Sequence, residues 1–140
     1  MLSPTMGKRK FNQAAGFVLI EVLLSILILS LGIIGLVSLQ AVAAKQSTDA
    51  KYRSEAALLA NQLLGQMWVT DRTATTLATF NTGQAGYTAW LSKVTAVLPG
   101  VGTSAPQVTV DAAGMVTVEV HWVAPGDSLT HTFTAIAQIR

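Results

Sequence analysis

Glu21 is the residue best placed to do chemistry in this chain, because it is the single charge in an otherwise apolar run from Phe17 to Leu39. A carboxylate inside a membrane segment costs about 2.5–3.5 kcal/mol on insertion scales. Two readings account for it. Glu21 sits one turn from the start of the run and can snorkel to a bilayer interface. Alternatively it neutralises a cation in a poorly screened setting. A cut after Gly16 would make such a cation, the new α-amino group of Phe17, and pairing between neighbouring subunits would set their register.

Other chemistry-bearing residues form no constellation. His121 and His131 stand singly on alternating segments, with no acidic cluster or further histidine at ligand spacing. They read as solvated residues of a polar sheet face, brought near each other only if the two segments pair. Gly83 and Gly86 lie in a Thr-rich stretch and not in a phosphate-binding loop after a strand. Trp68, Trp90 and Trp122 read as core or subunit-contact residues. Cysteine is absent, which excludes disulfides, zinc–thiolate sites and thiol catalysis. The expectation is a protein that is not an enzyme, with no catalytic residues, no metal and no cofactor.

The elements around Glu21 explain the composition. Hydrophobic residues make up 51% of the 140 and charged residues 11%, too greasy for a small soluble domain. Phe17–Leu39 spans about 35 Å as a helix, enough for a hydrocarbon core of about 30 Å. Lys8, Arg9 and Lys10 precede it, which leaves the N-terminus in the cytoplasm and everything after about Lys45 across the membrane. Removing those three from nine leaves six basic residues against seven acidic ones, so no basic surface for nucleic acid remains.

Helical signal continues past the membrane run. Tyr52, Ala56, Leu59, Leu63 and Met67 make one apolar stripe, with Asp49 and Arg53 a favourable i,i+4 pair on the exposed face and Lys51 and Glu55 a weaker one. Residues 71–86 read as a loop. Tyr87, Trp90, Leu91, Val94, Val97 and Leu98 read as a short helix over 87–98 that stops at Pro99-Gly100. Alternation then marks strands over Gln107–Asp111, Met115–Val123 and Leu129–Ile139, with Val116, Val118, Val120 and Trp122 on one face. The fold class expected is α+β: a long N-terminal helix, half membrane-spanning and half amphipathic, on a small antiparallel sheet of about three strands. The organisation expected is a leader over 1–16, a membrane or filament-core helix over 17–44, and a globular domain over 45–140 (helix 45–70, sheet 105–139).

Gly16-Phe17-Val18-Leu19-Ile20-Glu21-Val22-Leu23-Leu24 resembles the processing site of type IV prepilins and type II secretion pseudopilins. Ile26 to Leu36, then Ser38-Leu39-Gln40, and Tyr52 to Leu63 resemble the minor pilins of the PilV type; the likeness is specific to about residue 70. The resemblance implies a pilin-like fold. It further implies cleavage after Gly16 by a prepilin peptidase, N-methylation of Phe17, and Glu21 as the glutamate that guides assembly. Ala14-Ala15 stand where the family often has a basic residue. Partners implied are other pilins and minor pilins, the prepilin peptidase, an inner-membrane assembly platform, and membrane lipid before assembly. The place implied is the bacterial inner membrane, then a pilus at the cell surface; adhesion, twitching motility, DNA uptake and secretion share this N-terminus. Gly32 and Gly35 either loosen the helix or let another helix approach closely.

Two alternatives differ in class or system. A minor pseudopilin of a secretion system shares all of these features. An exported soluble protein would instead be cut at Ala41-Val42-Ala43, although the apolar run far exceeds the roughly 7–15 residues of a signal core.

Overall fold

The computed structural model of the chain describes residues 13–139; Lys8, Arg9 and Lys10 lie outside them. One long N-terminal helix packs against a small three-stranded antiparallel sheet, an α+β layout. Helix α1 runs Gln13–Val69 without a break, 57 residues or about 85 Å. Ala, Leu and Gln dominate its second half and no proline interrupts it, so local propensity favours helix there. By internal contacts the chain divides into Met1–Ala43 and Ala44–Arg140.

In the first unit the described chain is helix alone, and every residue from Gly16 to Ala43 is exposed. The second unit holds the core. There Ala56, Leu59, Leu63 and Met67 are buried on one stripe of α1, widened by Ala60 and Leu64. Burying a leucine side chain contributes about 1.5–3 kcal/mol, so this stripe is the main attachment of the helix to its domain.

The segment 71–86, expected as a loop, contains a helical turn α2 at Ala74–Ala78. Its cause is local: the Thr73 hydroxyl accepts the Thr76 N–H at 3.3 Å, an N-cap that starts the turn. Helix α3 spans Ala85–Val97 and buries Tyr87, Trp90 and Val94. The Trp90 indole N–H donates to the Leu59 carbonyl at 2.9 Å, and the Tyr87 hydroxyl donates to the Pro106 carbonyl at 2.8 Å. Both polar tips are therefore satisfied inside the core, and each ties α3 to another segment. Past α3 the chain turns at Gly100, whose φ of +72° suits glycine. A Cβ there would lie 2.7 Å from that of Val123, and the Val123 N–H donates to the Pro99 carbonyl.

The sheet has the order β1-β2-β3, with β1 at Gln107–Val110, β2 at Met115–Trp122 and β3 at His131–Gln138. Val116, Val118, Val120 and Trp122 form the buried row of β2. At the first turn the Asp111 carboxylate accepts the N–H groups of Ala113 and Met115, both at 2.8 Å. The third strand starts at His131, not Leu129, because Asp127 accepts the N–H groups of Ser128 and Leu129 and holds both in the turn.

The two histidines do not share a face. His131 pairs with Trp122 on the core side and His121 with Thr132 on the outer side. Trp122 and His131 are stacked, with centroids 5.5 Å apart and planes at 17°. His121 Nδ1 lies 3.0 Å from the Thr132 hydroxyl. Among the described residues neither Asp49–Arg53 nor Lys51–Glu55 forms an ion pair. Asp49 is half-buried and its Oδ1 has no hydrogen-bond partner, so the inward side of the helix claims it.

Candidate functional site

The residues singled out in sequence all lie on the exposed part of α1. Phe17 is 72% exposed, and Glu21, one turn further on, points from the same side of the helix. Among the described residues the Glu21 carboxylate has no hydrogen bond and no ion pair. The Gly16–Phe17 bond lies within helix α1.

Around Glu21 the surface has been stripped of other polar handles. The Ser25 hydroxyl donates to the Glu21 carbonyl at 2.8 Å, Ser30 to Ile26 at 2.7 Å and Ser38 to Ile34 at 3.0 Å. Each returns its hydrogen to the preceding turn, which makes serine tolerable in an apolar solvent. Leu19, Ile20, Leu23, Leu27, Leu31 and Ile34 are more than half exposed. The helix is long and apolar enough to cross a membrane. Gly32 and Gly35 have nothing within 4 Å of where a Cβ would stand, so they are notches open to a neighbour and not packed within the chain.

A second cluster, invisible to periodicity, lies in the globular unit. Asp127 accepts from its own turn and lies 3.2 Å from His131 Nε2 and 3.6 Å from Lys45 Nζ. His131, then the turn N–H of Leu129, holds the Asp127 carboxyl below the usual carboxylate range. Charge spacing along the sequence carries no sign of it, because Lys45 on α1 and Asp127 in the last turn meet only through the fold. Beneath His131 the indole N–H of buried Trp122 has no hydrogen-bond partner.

One cavity of about 160 Å³ opens between the β1–β2 turn and α2, lined by Arg72, Leu77, Val110, Asp111 and Ile139 among others. Its two charged groups are already engaged: Asp111 closes the turn, and the Arg72 guanidinium lies 5.9 Å from the Trp68 ring centre. No group of three or more potential metal ligands occurs among the described residues. Comparison with protein families, with curated proteins and with solved structures produced no match.

Proposed function

We propose that the chain is a minor pilin of the PilV type, cut after Gly16, methylated on Phe17 and inserted into a type IV pilus. One observation carries the reading: across the described and fully exposed residues 16–43 of α1, Glu21 is the only charge, it has no ion pair, and it lies a turn away from Phe17. In water such a surface is a liability, and in a bilayer or a bundle of like helices it is a match. Once Phe17 is the terminus, its amine and the Glu21 carboxylate of a neighbour neutralise each other in a medium where opposite charges attract strongly. The subunit enters the inner membrane with its N-terminus cytoplasmic and its domain outside, and then moves into the filament. It has no catalytic role, and its partners are other pilins, the peptidase and the assembly platform.

The uninterrupted course of α1 through Ala41-Val42-Ala43 speaks against a signal-peptidase cut there. N-terminal sequencing with mass measurement of the mature protein tests the proposal. A methylated Phe17 is the expected terminus, and a start at Ala44 overturns it.

A further inference from the structure

Each histidine of the sheet faces a carboxylate, and the two pairs are built differently. His131 Nε2 lies 3.2 Å from Asp127 Oδ2, close enough for a hydrogen bond, and Lys45 Nζ reaches the same oxygen at 3.6 Å. The His131 ring is also stacked on Trp122. That pair is closed: its carboxylate already has a cation, and a second one would meet the repulsion of the lysine. On the outer face of β2, His121 Nε2 lies 4.0 Å from Glu119 Oε2. This is beyond hydrogen-bond length. Among the described residues no lysine or arginine pairs with Glu119.

The open pair has the atoms and the support of a metal site. Glu119 and His121 are alternate residues of one strand, so both side chains leave the same face. The other ring nitrogen, His121 Nδ1, is 3.0 Å from the Thr132 hydroxyl on β3. With its proton on Nδ1 the ring donates to that oxygen, and the Nε2 lone pair is left facing the carboxylate. The His121 side chain is 15% exposed and that of Glu119 40%, so the imidazole is held while the carboxylate can adjust. The frame is stiff as well. β2 is the middle strand. β1 is plugged along its outer edge, where Val108 N–H donates to the Thr82 hydroxyl at 2.8 Å and Val110 N–H to Asn81 Oδ1 at 2.7 Å. The residues cross-strand from the pair, Gln107, Thr132 and Thr134, are exposed and uncharged, so the pair opens to water and its strand neighbours bring no charge to it.

We propose that Glu119 and His121 bind a divalent cation of the zinc class on the outer face of the sheet, with water filling the remaining positions. Zinc holds an imidazole nitrogen or a carboxylate oxygen at about 2.0–2.2 Å, which at a tetrahedral angle sets the two ligand atoms about 3.4 Å apart. The carboxylate therefore has only about half an ångström to close. One nitrogen and one oxygen suit a borderline cation, whereas calcium takes about six to eight oxygens. Two protein ligands make an exchangeable site and not a structural one. The site lies wholly within the sheet and stands apart from the pilin reading.

The test uses the full chain, without an affinity tag, in detergent micelles. It is titrated with Zn2+ alone and followed by calorimetry and by the histidine ring signals in NMR. A single equivalent should bind, the His121 signals should move and those of His131 should stay. His121→Gln should abolish the binding, and His131→Gln should bind as the native chain does. Glu119→Gln should weaken it by more than about tenfold. Thr132→Val, which removes only the group that orients the ring, should weaken it by about tenfold at unchanged stoichiometry and unchanged unfolding midpoint. Ca2+ at the same concentration should leave the His121 signals in place. If His121→Gln fails to fold, the ring signals of the native chain and the Glu119→Gln titration decide. Unmoved His121 signals at a large excess of Zn2+, binding that moves His131 in place of His121, or native-like binding by Glu119→Gln overturns the proposal.

Discussion

The two halves of helix α1 share a backbone and almost nothing else. From Gly16 to Ala43 no residue is buried, whereas beyond Tyr52 a stripe of Ala, Leu and Met is sealed to within 8% exposure. Leucine is abundant in both. The difference lies in spacing: downstream, polar residues separate the leucines and leave one apolar face, while upstream apolar residues surround the axis. A helix apolar all round needs an apolar solvent or like neighbours, and a striped helix needs only its own domain. The same element therefore presents an apolar surface all round at one end and roofs a core at the other.

That contrast can be broken or sharpened by substitution. Gly16→Val should abolish processing and leave an unprocessed precursor in the inner membrane, read as retained mass on immunoblot; normal maturation would misplace the junction. In the domain that α1 roofs, Trp90→Ala on α3 should cost about 3–5 kcal/mol of domain stability by cavity formation alone, measured by denaturant unfolding. Leu63→Ala, at a site with no exposure, should cost about 2–5 kcal/mol, whereas Leu27→Ala should leave the domain's midpoint unmoved. Equal losses from Leu63 and Leu27 would mean the two halves are not separate in energy. Glu21→Ala should spare insertion and cleavage while lowering the share of subunits recovered in filaments; unchanged recovery would end the amine-pairing idea.

The smallest effect concerns Asp127. Its carboxyl titrates below its unfolded value of about 3.9, so its contribution is fully present above that pH. The contribution is lost as pH falls through the lower folded value. The stability gap between the native chain and Asp127→Asn should therefore be constant near neutrality and close below about pH 3.9. A gap that persists in acid would show that the carboxylate is not what holds the last turn.

How far the sequence discloses this molecule depends on the range of the interactions. Alternation in Val116–Trp122 and the spacing of Tyr52 to Met67 are local patterns with one physical solution each, and the sheet face and helix stripe follow them. Helix α2 hides because five residues are too few to show a helical period, and its start is marked only by the Thr73 cap. His131 was expected on a polar face. The turn at Asp127 shifts where β3 begins, and register then sets the ring against Trp122. The plugging of β1 by Asn81 and Thr82, and the meeting of Lys45 with Asp127, join residues far apart in the chain, so no window along it contains both partners. For the candidate site the residue types at Gly16, Phe17 and Glu21 were legible because oddity within an apolar run is itself local.

Ser25, Ser30 and Ser38 turn their hydroxyls back onto their own helix, and that has a consequence for any helix lying alongside. Apart from the shallow notch at Gly32 and Gly35, a neighbour sliding along this run meets the same oily texture at every step. Translation is then nearly free of landmarks, like a rail without sleepers. Besides that notch, the one landmark in the run is the Glu21 carboxylate.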